Sequence, residues 1–468
     1  MYMMRVLFRN NINRLDRYLS SEVISFSLLL KIFLPIFCEQ LFLACLSIFS
    51  IWLLSFDGEN AMSVVSMMSV INSVFTSLCL GMVTGGTVIV AQNIGAKNTS
   101  YASRAMIQTI AFAVVLTAVL GAFLLWRKES LIGYLLAGAN SEIISGAALY
   151  FSGFCISFPL YAFYQSFAGA MRGWGNSAIA WRLTLSVNIV QVTLTAVLLI
   201  ALKMGVLGVA VAMICSRIFG VLYAVAIMIY KRKMFEINFI NYLRTNTAIL
   251  SNMLLIAIPL ALEQFFFNSG KAFSQKFIAE YGTAHMAANG VVNAVFDIFN
   301  LPQISIREAL VTVVGMCIGC GRHDLAKRYV YRFMRVIRKL TLYLMPITIP
   351  VSALLLYSYR LSPTAHYLAI WSIAIIFITG PVLVAGSLTI PAGLRAGGDA
   401  PFVSLAALGC MWGVRVTCSW LFAGVMGLGV IGLTIAMIMD WLARNVVFRR
   451  RLKGELWHSR KLVEKFAL

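Results

Sequence analysis

The chain has 468 residues, 60% of them hydrophobic and only 12% charged, with a net charge of +21 and a mean hydropathy of +0.87. A soluble domain carries about 25% charged residues, so this composition excludes a soluble globular protein and points to a chain that crosses a bilayer many times. The positive charge is no sign of nucleic acid, because the basic residues lie in short segments between apolar runs, where they report orientation.

Residues 1–24 form a basic tail with Arg5, Arg9, Arg14 and Arg17, and show no apolar core ending in a small-residue cleavage site. The first span is expected over 25–56 and carries Pro35 and Glu39-Gln40; a tight FDGEN loop follows, then a second span from 61 to the Ile94-Gly95-Ala96 turn. Spans over 101–126 and 140–171 come next, the fourth ending in Arg172-Gly173-Trp174-Gly175, and then spans over 178–201 and 205–230. A polar linker over 231–247 joins this N-lobe (25–230) to a C-lobe (248–448) with spans over 248–280, 283–318, 338–358, 366–394, 402–424 and 426–448. A second basic tail occupies 449–468. Each apolar run is long enough to cross a hydrocarbon core about 30 Å thick. The expected fold class is therefore all-α, with 12 transmembrane helices in two six-helix lobes.

The two lobes are copies. At one constant offset Pro35 answers Pro259, Glu39-Gln40 answers Glu263-Gln264, Gly58 answers Gly282, Phe75 answers Phe299, and Ile94-Gly95 answers Ile318-Gly319. One residue off that offset, AGAMRGWGN at 168–176 answers PAGLRAGGD at 391–399. An ungapped echo of this length is a duplication. With six spans per lobe, both copies enter the membrane the same way round, as parallel repeats about an axis along the membrane normal. With both termini inside, the outer loops hold only Arg127, Lys128, Lys203 and Arg360 of the 38 Lys and Arg. Apart from Arg217, Lys271, Lys276, Arg307 and Arg415, which fall in spans, the rest lie on the inner side.

These motifs, in order and duplicated, resemble the multidrug and toxic compound extrusion (MATE) family of the larger flippase-exporter superfamily. The resemblance runs from Lys31 to Phe448 and rests on TGGTVIVAQNIGAKN and VTVVGMCIGCGR at the ends of spans two and eight, on MRGWGN and LRAGGD after spans four and ten, and on a Glu-Gln pair opening spans one and seven. It implies a V-shaped twelve-helix fold, alternating access, and export of organic cations in exchange for H+ or Na+. Many members carry an Asp in the outer half of span one, where this chain has Ser50, and Met316 replaces in the second repeat the Gln92 of the first.

Ionisable groups within a bilayer are costly and are functional candidates by default. Glu39 has no evident basic neighbour in its lobe and is the expected cation-coupling residue, with Asp297 second. A carboxyl there can hold a proton or a cation but not both, which is the simplest basis for antiport. Glu263 is the expected substrate acceptor, kept ionised by Lys271. Eleven residues make about three helical turns, so Glu39 and Ser50 share a face, as do Glu263 and Ser274; with Gln40, Gln264, Phe267 and Lys271 they form the candidate substrate-binding set, suited to a flat organic cation. Asp297, Glu308, Lys271, Lys276 and Arg307 are expected to form a buried polar network. Arg172, Arg395, Gly95, Gly319, Arg307 and Glu308 are expected to be structural or gating residues, the two arginines reaching lipid headgroups or inner carboxylates such as Asp440.

No GxGxxG or GxxxxGK[ST] motif is present to cradle phosphate, and Cys317-x-x-Cys320 has no second ligand pair, so neither metal nor organic cofactor is expected. His285, His323, His366 and His458 are scattered and make no catalytic pair, which argues against a membrane enzyme. The expected function is secondary antiport of small organic cations across the cell membrane by a monomer with both termini cytoplasmic. A lipid-linked precursor flippase of the same superfamily is the alternative, and it calls for a more cationic cleft.

Overall fold

The structure, a computed structural model, describes residues 25–54, 59–135, 141–235, 247–358 and 361–458. Among them, 12 helices are long and apolar enough to cross a membrane. They are α1 (Phe26–Leu54), α2 (Glu59–Gly95), α3 (Thr99–Trp126), α4 (Ser141–Gly173), α5 (Ser177–Ala196) and α6 (Gly205–Tyr230) in the first repeat. In the second they are α7 (Thr247–Ala279), α8 (Thr283–Gly319), α9 (His323–Ser358), α10 (Pro363–Ala396), α11 (opening at Ala400–Cys410 and continuing to Val425) and α12 (Gly429–Lys453). The all-α, twelve-span architecture read from the sequence is the one observed. Most of the linker expected at 231–247 lies outside the described residues, as do both chain ends.

The ninth helix begins far earlier than its apolar run. Leu325, Ala326, Tyr329, Val330, Phe333 and Ile337 are buried, a spacing that keeps one face of a helix apolar. Arg328, Arg335, Arg338 and Lys339 point outward and hide that face from a search for apolar stretches. The twelfth helix outruns its expected end for the same reason: Phe448 and Leu452 are buried while Arg449 and Arg450 are exposed.

Chain contacts group the residues into two compact units, Leu34–Ala261, and Leu262–Leu468 with the first residues of the chain. In the unit of residues 34–261 the core is aromatic and sulfur-rich, with Cys79, Met82, Phe151, Phe154, Phe158 and Met213 packed together. Glycines let its helices close up. A Cβ on Gly81 or Gly85 would stand 2.9 Å from the backbone oxygen of Ala257 or Met253 on α7, the close approach small residues allow between membrane helices. In the unit of residues 262–468, Val291, Phe299, Ile376, Phe377 and Trp441 make the corresponding core.

Among the described residues, two helices carry π segments. α5 ends in one at Val197–Ala201, and α11 contains two, Met411–Val416 and Trp420–Val425. Such widened turns are uncommon inside helices and recur at functional sites.

Candidate functional site

Each repeat builds the same ion pair. In the first, Arg172 at the end of α4 donates from Nη2 to Glu39 Oε1 of α1 at 2.8 Å. In the second, Arg395 at the end of α10 donates from Nη2 to Glu263 Oε1 and Oε2 of α7, both at 2.6 Å. All four side chains are largely buried, Glu39 and Glu263 at 5% and 8% exposure. Each glutamate follows a proline by four residues, Pro35 or Pro259, which has no N–H to donate and breaks the regular backbone ladder one turn before the carboxylate.

The turns that hold the arginines explain the paired motifs. After α4, Gly175 N donates to Arg172 O and Asn176 N to Met171 O, both at 2.9 Å. After α10, Gly398 N donates to Arg395 O at 2.9 Å and Asp399 N to Leu394 O at 3.1 Å. This is the paired closure of a helix end through a left-handed residue; Gly175 and Gly398, with φ of 81° and 93°, supply it. Each turn is backed by an aromatic from the segment after the sixth helix of its repeat. Trp174 packs edge-on against Phe235 with ring centres 5.3 Å apart. At the matching position Gly397 leaves room for Trp457, whose Cε3 a Cβ there would meet at 2.7 Å. Arg451 reinforces the second turn, donating to Asp399 at 2.7 and 3.1 Å.

The two pairs differ in how fully the carboxylate is engaged. Ser404 Oγ donates to Glu263 Oε2 at 2.8 Å, so both oxygens of Glu263 are held. Glu39 Oε2 is buried and accepts no hydrogen bond.

These contacts correct several expectations. Glu39 does have a basic partner, Arg172, brought from the far end of α4. The cation beside Glu263 is Arg395, not Lys271. Arg172 and Arg395 bind the α1 and α7 glutamates, whereas Asp440 is bound by Arg444, one turn away on α12, at 2.8 Å. The buried network expected around α8 does not form: Asp297, Lys271 and Lys276 are exposed, and Arg307 meets its neighbour Glu308 at 3.6 Å with both side chains partly exposed. A polar residue on an apolar helix does not announce which way it faces.

Of the other candidates, Gln40, Gln264 and Phe267 are half-buried. Ser274 is buried, and its hydroxyl donates to Gly270 O of its own helix at 2.9 Å. The Ser50 side chain lies outside the described residues. Gly95 and Gly319 are the last residues of α2 and α8. After them Asn98 N donates to Asn93 O at 2.9 Å and Arg322 N to Cys317 O at 3.0 Å, the same closure in both repeats.

Sequence reasoning missed Ser404 and Arg444. It also missed a cluster on α7, α11 and α12 in which three cations face one ring. Lys271 Nζ, Arg415 Cζ and Arg444 Cζ lie 5.3, 5.8 and 5.2 Å from the centre of Phe267. The matched Glu and Arg of the two repeats were the available signal for the ion pairs; the cluster has no such signal, since only folding brings its helices together.

The MatE family model matches residues 35–197 and again 259–421, the two repeats read from the sequence. Two Bacillus subtilis (strain 168) proteins are similar over most of their length. The uncharacterized transporter YisQ is 23% identical, covering 90% of this chain and 93% of its own. The probable multidrug resistance protein YoeA is 23% identical, covering 81% and 82%. Among solved structures, a Vibrio cholerae MATE transporter, VcmN, superposes with a TM-score of 0.83 at 17% identity, over 93% of this chain and 98% of that one. A Pyrococcus furiosus MOP-superfamily transporter, described as having a binding pocket of reverse polarity, gives 0.81 at 17% identity, over 91% and 95%. With the duplicated motifs, the twelve helices and a family match spanning both halves, the chain belongs to the MatE family of membrane transporters.

Proposed function

We propose that this transporter is a secondary antiporter of the plasma membrane that exports drug-like organic molecules, organic cations first among them, in exchange for H+ or Na+ by alternating access. The kinship with a probable multidrug resistance protein supports the substrate class. The observation that carries the coupling is the asymmetry of the two glutamates: Oε2 of Glu39 is buried and unengaged, whereas Glu263 is held at both oxygens. A buried polar atom without a partner is costly. Oε2 is the oxygen at which a proton or a sodium ion would bind while Arg172 keeps Oε1. An organic cation competing for the same carboxylate would then be released as the ion binds, so that coupling is a difference in affinity between two occupied states. Glu263 acts here as a fixed structural pair. It is not read as the substrate acceptor, because Arg395 and Ser404 already engage both of its oxygens.

The test is uptake of a fluorescent organic cation into proteoliposomes under a proton or a sodium gradient alone. Accumulation under one gradient supports antiport and names the ion; no accumulation under either, with cation binding intact, rejects it.

A second reading, a lipid-linked precursor flippase, is favoured by the three cations around Phe267. The P. furiosus relative, whose reversed pocket polarity is taken to mean a different function for it, keeps that reading open for this chain. Flipping of a fluorescent anionic lipid in the same vesicles, without an ion gradient, distinguishes it.

A further inference from the structure

The Phe267 cluster carries more positive charge than its own acids balance. Arg444 has Asp440, bound at 2.8 Å. Lys271 is exposed and has Asp297 within electrostatic reach. Arg415 has neither: it is 8% exposed, its Nε is buried without a hydrogen-bond partner, and Asp440, the acid within its reach, is already taken by Arg444. Its ring contact with Phe267 is long, at 5.8 Å, and shared with two other cations.

The other repeat shows how this family of helices satisfies a buried arginine when no ligand is needed. Arg217 on α6 is equally buried. It donates to Ser157 Oγ at 2.7 Å and lies over two rings, Tyr161 at 5.0 Å and Phe154 at 5.5 Å. Arg415 has no such hydroxyl. It also sits on the π segment Met411–Val416, where the helix departs from its regular winding. Burying a charge without a partner costs several kcal/mol, and three like charges around one ring add repulsion. An anion placed among them would offset both, and guanidinium groups are well shaped to hold carboxylate, sulfonate or phosphate oxygens.

We propose that Arg415, Lys271 and Arg444, gathered around Phe267 on α7, α11 and α12, form an anion-accepting site that takes the acidic group of an organic anion. The assignment goes beyond the transport reading, and it rests on that reading only in treating the bound anion as cargo. The same chemistry would hold a free organic acid or an anionic lipid headgroup.

The experiment measures binding of naphthalene-2-sulfonate to the full chain in phosphatidylcholine nanodiscs by calorimetry, with naphthalene-2-carboxamide as the neutral control. The sulfonate is expected to bind and the amide not. Arg415→Gln and Lys271→Gln are each expected to weaken sulfonate binding about tenfold or more, the loss of one charge-assisted contact, and Arg415→Lys to recover part of it. Lys271 is exposed, so its variant decides the matter even if Arg415→Gln does not fold. Equal binding of sulfonate and amide, no binding of either, or sulfonate binding unchanged in Lys271→Gln, overturns the proposal. Repeating the titration in phosphatidylglycerol nanodiscs separates the sources: competition by that lipid, lost in Lys271→Gln, assigns the site to a headgroup, and indifference to lipid assigns it to a free acid. Because binding is measured without a gradient, sulfonate binding with no gradient-driven export rejects the transport reading alone. Gradient-driven export without sulfonate binding rejects this site alone.

Discussion

Ser404 stands in the second repeat where Trp181 stands in the first, counting from the arginine of each motif. Ser404 donates to Glu263; Trp181 keeps a buried Nε1 that donates to nothing, and Glu39 keeps a buried oxygen that accepts from nothing. A duplication has thus yielded one closed pair and one open pair on matching helices. On the proposed coupling, the open pair is the one at which H+ or Na+ would bind, and the repeats would then play different parts.

Glu39→Gln is expected to abolish gradient-driven export while leaving measurable substrate binding, and the pH dependence of that binding should flatten. Transport in proteoliposomes and equilibrium binding of the same fluorescent cation read the two effects separately. Export at the wild-type rate would remove Glu39 as the coupling residue.

Glu263→Gln should act on the fold instead. It leaves Arg395 buried without its counter-charge, a loss of about 3–5 kcal/mol for a buried pair. Ser404→Ala removes one hydrogen bond to a charged group, about 1.5–3 kcal/mol, and is the milder variant. Thermal unfolding in detergent should rank them wild type, Ser404→Ala, Glu263→Gln. Transport per folded molecule in Ser404→Ala should stay near wild type.

Gly398→Ala forces a side chain into a left-handed backbone at φ 93°, at a cost of about 1–2 kcal/mol. Because the turn fixes both Arg395 and Asp399, the melting temperature should fall and the Arg395–Glu263 pair should loosen. A glycine five residues earlier that lacks a positive φ, Gly393, meets a different obstacle, the Val330 side chain. An unchanged melting temperature in Gly398→Ala would show that the turn tolerates other closures.

Reporter fusions in the loop at Lys97 and in the loop at Lys203 should fall on opposite sides of the membrane, Lys97 inside, given the distribution of basic residues. Both reporters active on one side would reject the topology.

The spans and their duplication were legible because length, apolarity and motif spacing are local properties of the sequence. Boundaries failed where burial is one-sided: α9 begins at His323, and its charged outer face masks the apolar stripe of Tyr329, Phe333 and Ile337. The glutamates were legible as isolated charges, but their partners were not, since Arg172 lies 133 residues from Glu39 and Arg395 132 from Glu263. The expected network of Asp297, Lys276, Arg307 and Glu308 failed for the converse reason. Charges close in sequence on neighbouring helices need not face each other, and these face outward or lie at the edge.

The aromatic backing of the two arginine turns also fixes an order of assembly. Phe235 leaves the ribosome soon after the helices it serves, so the first turn can be completed while the second half of the chain is still unsynthesised. Trp457 follows the twelfth helix, which ends at Lys453, and it is 1% exposed against the second turn. Until translation has passed Trp457, the turn that presents Arg395 to Glu263 lacks its wedge, and a chain stopped just short of Trp457 would carry all twelve described spans yet leave that turn unbacked.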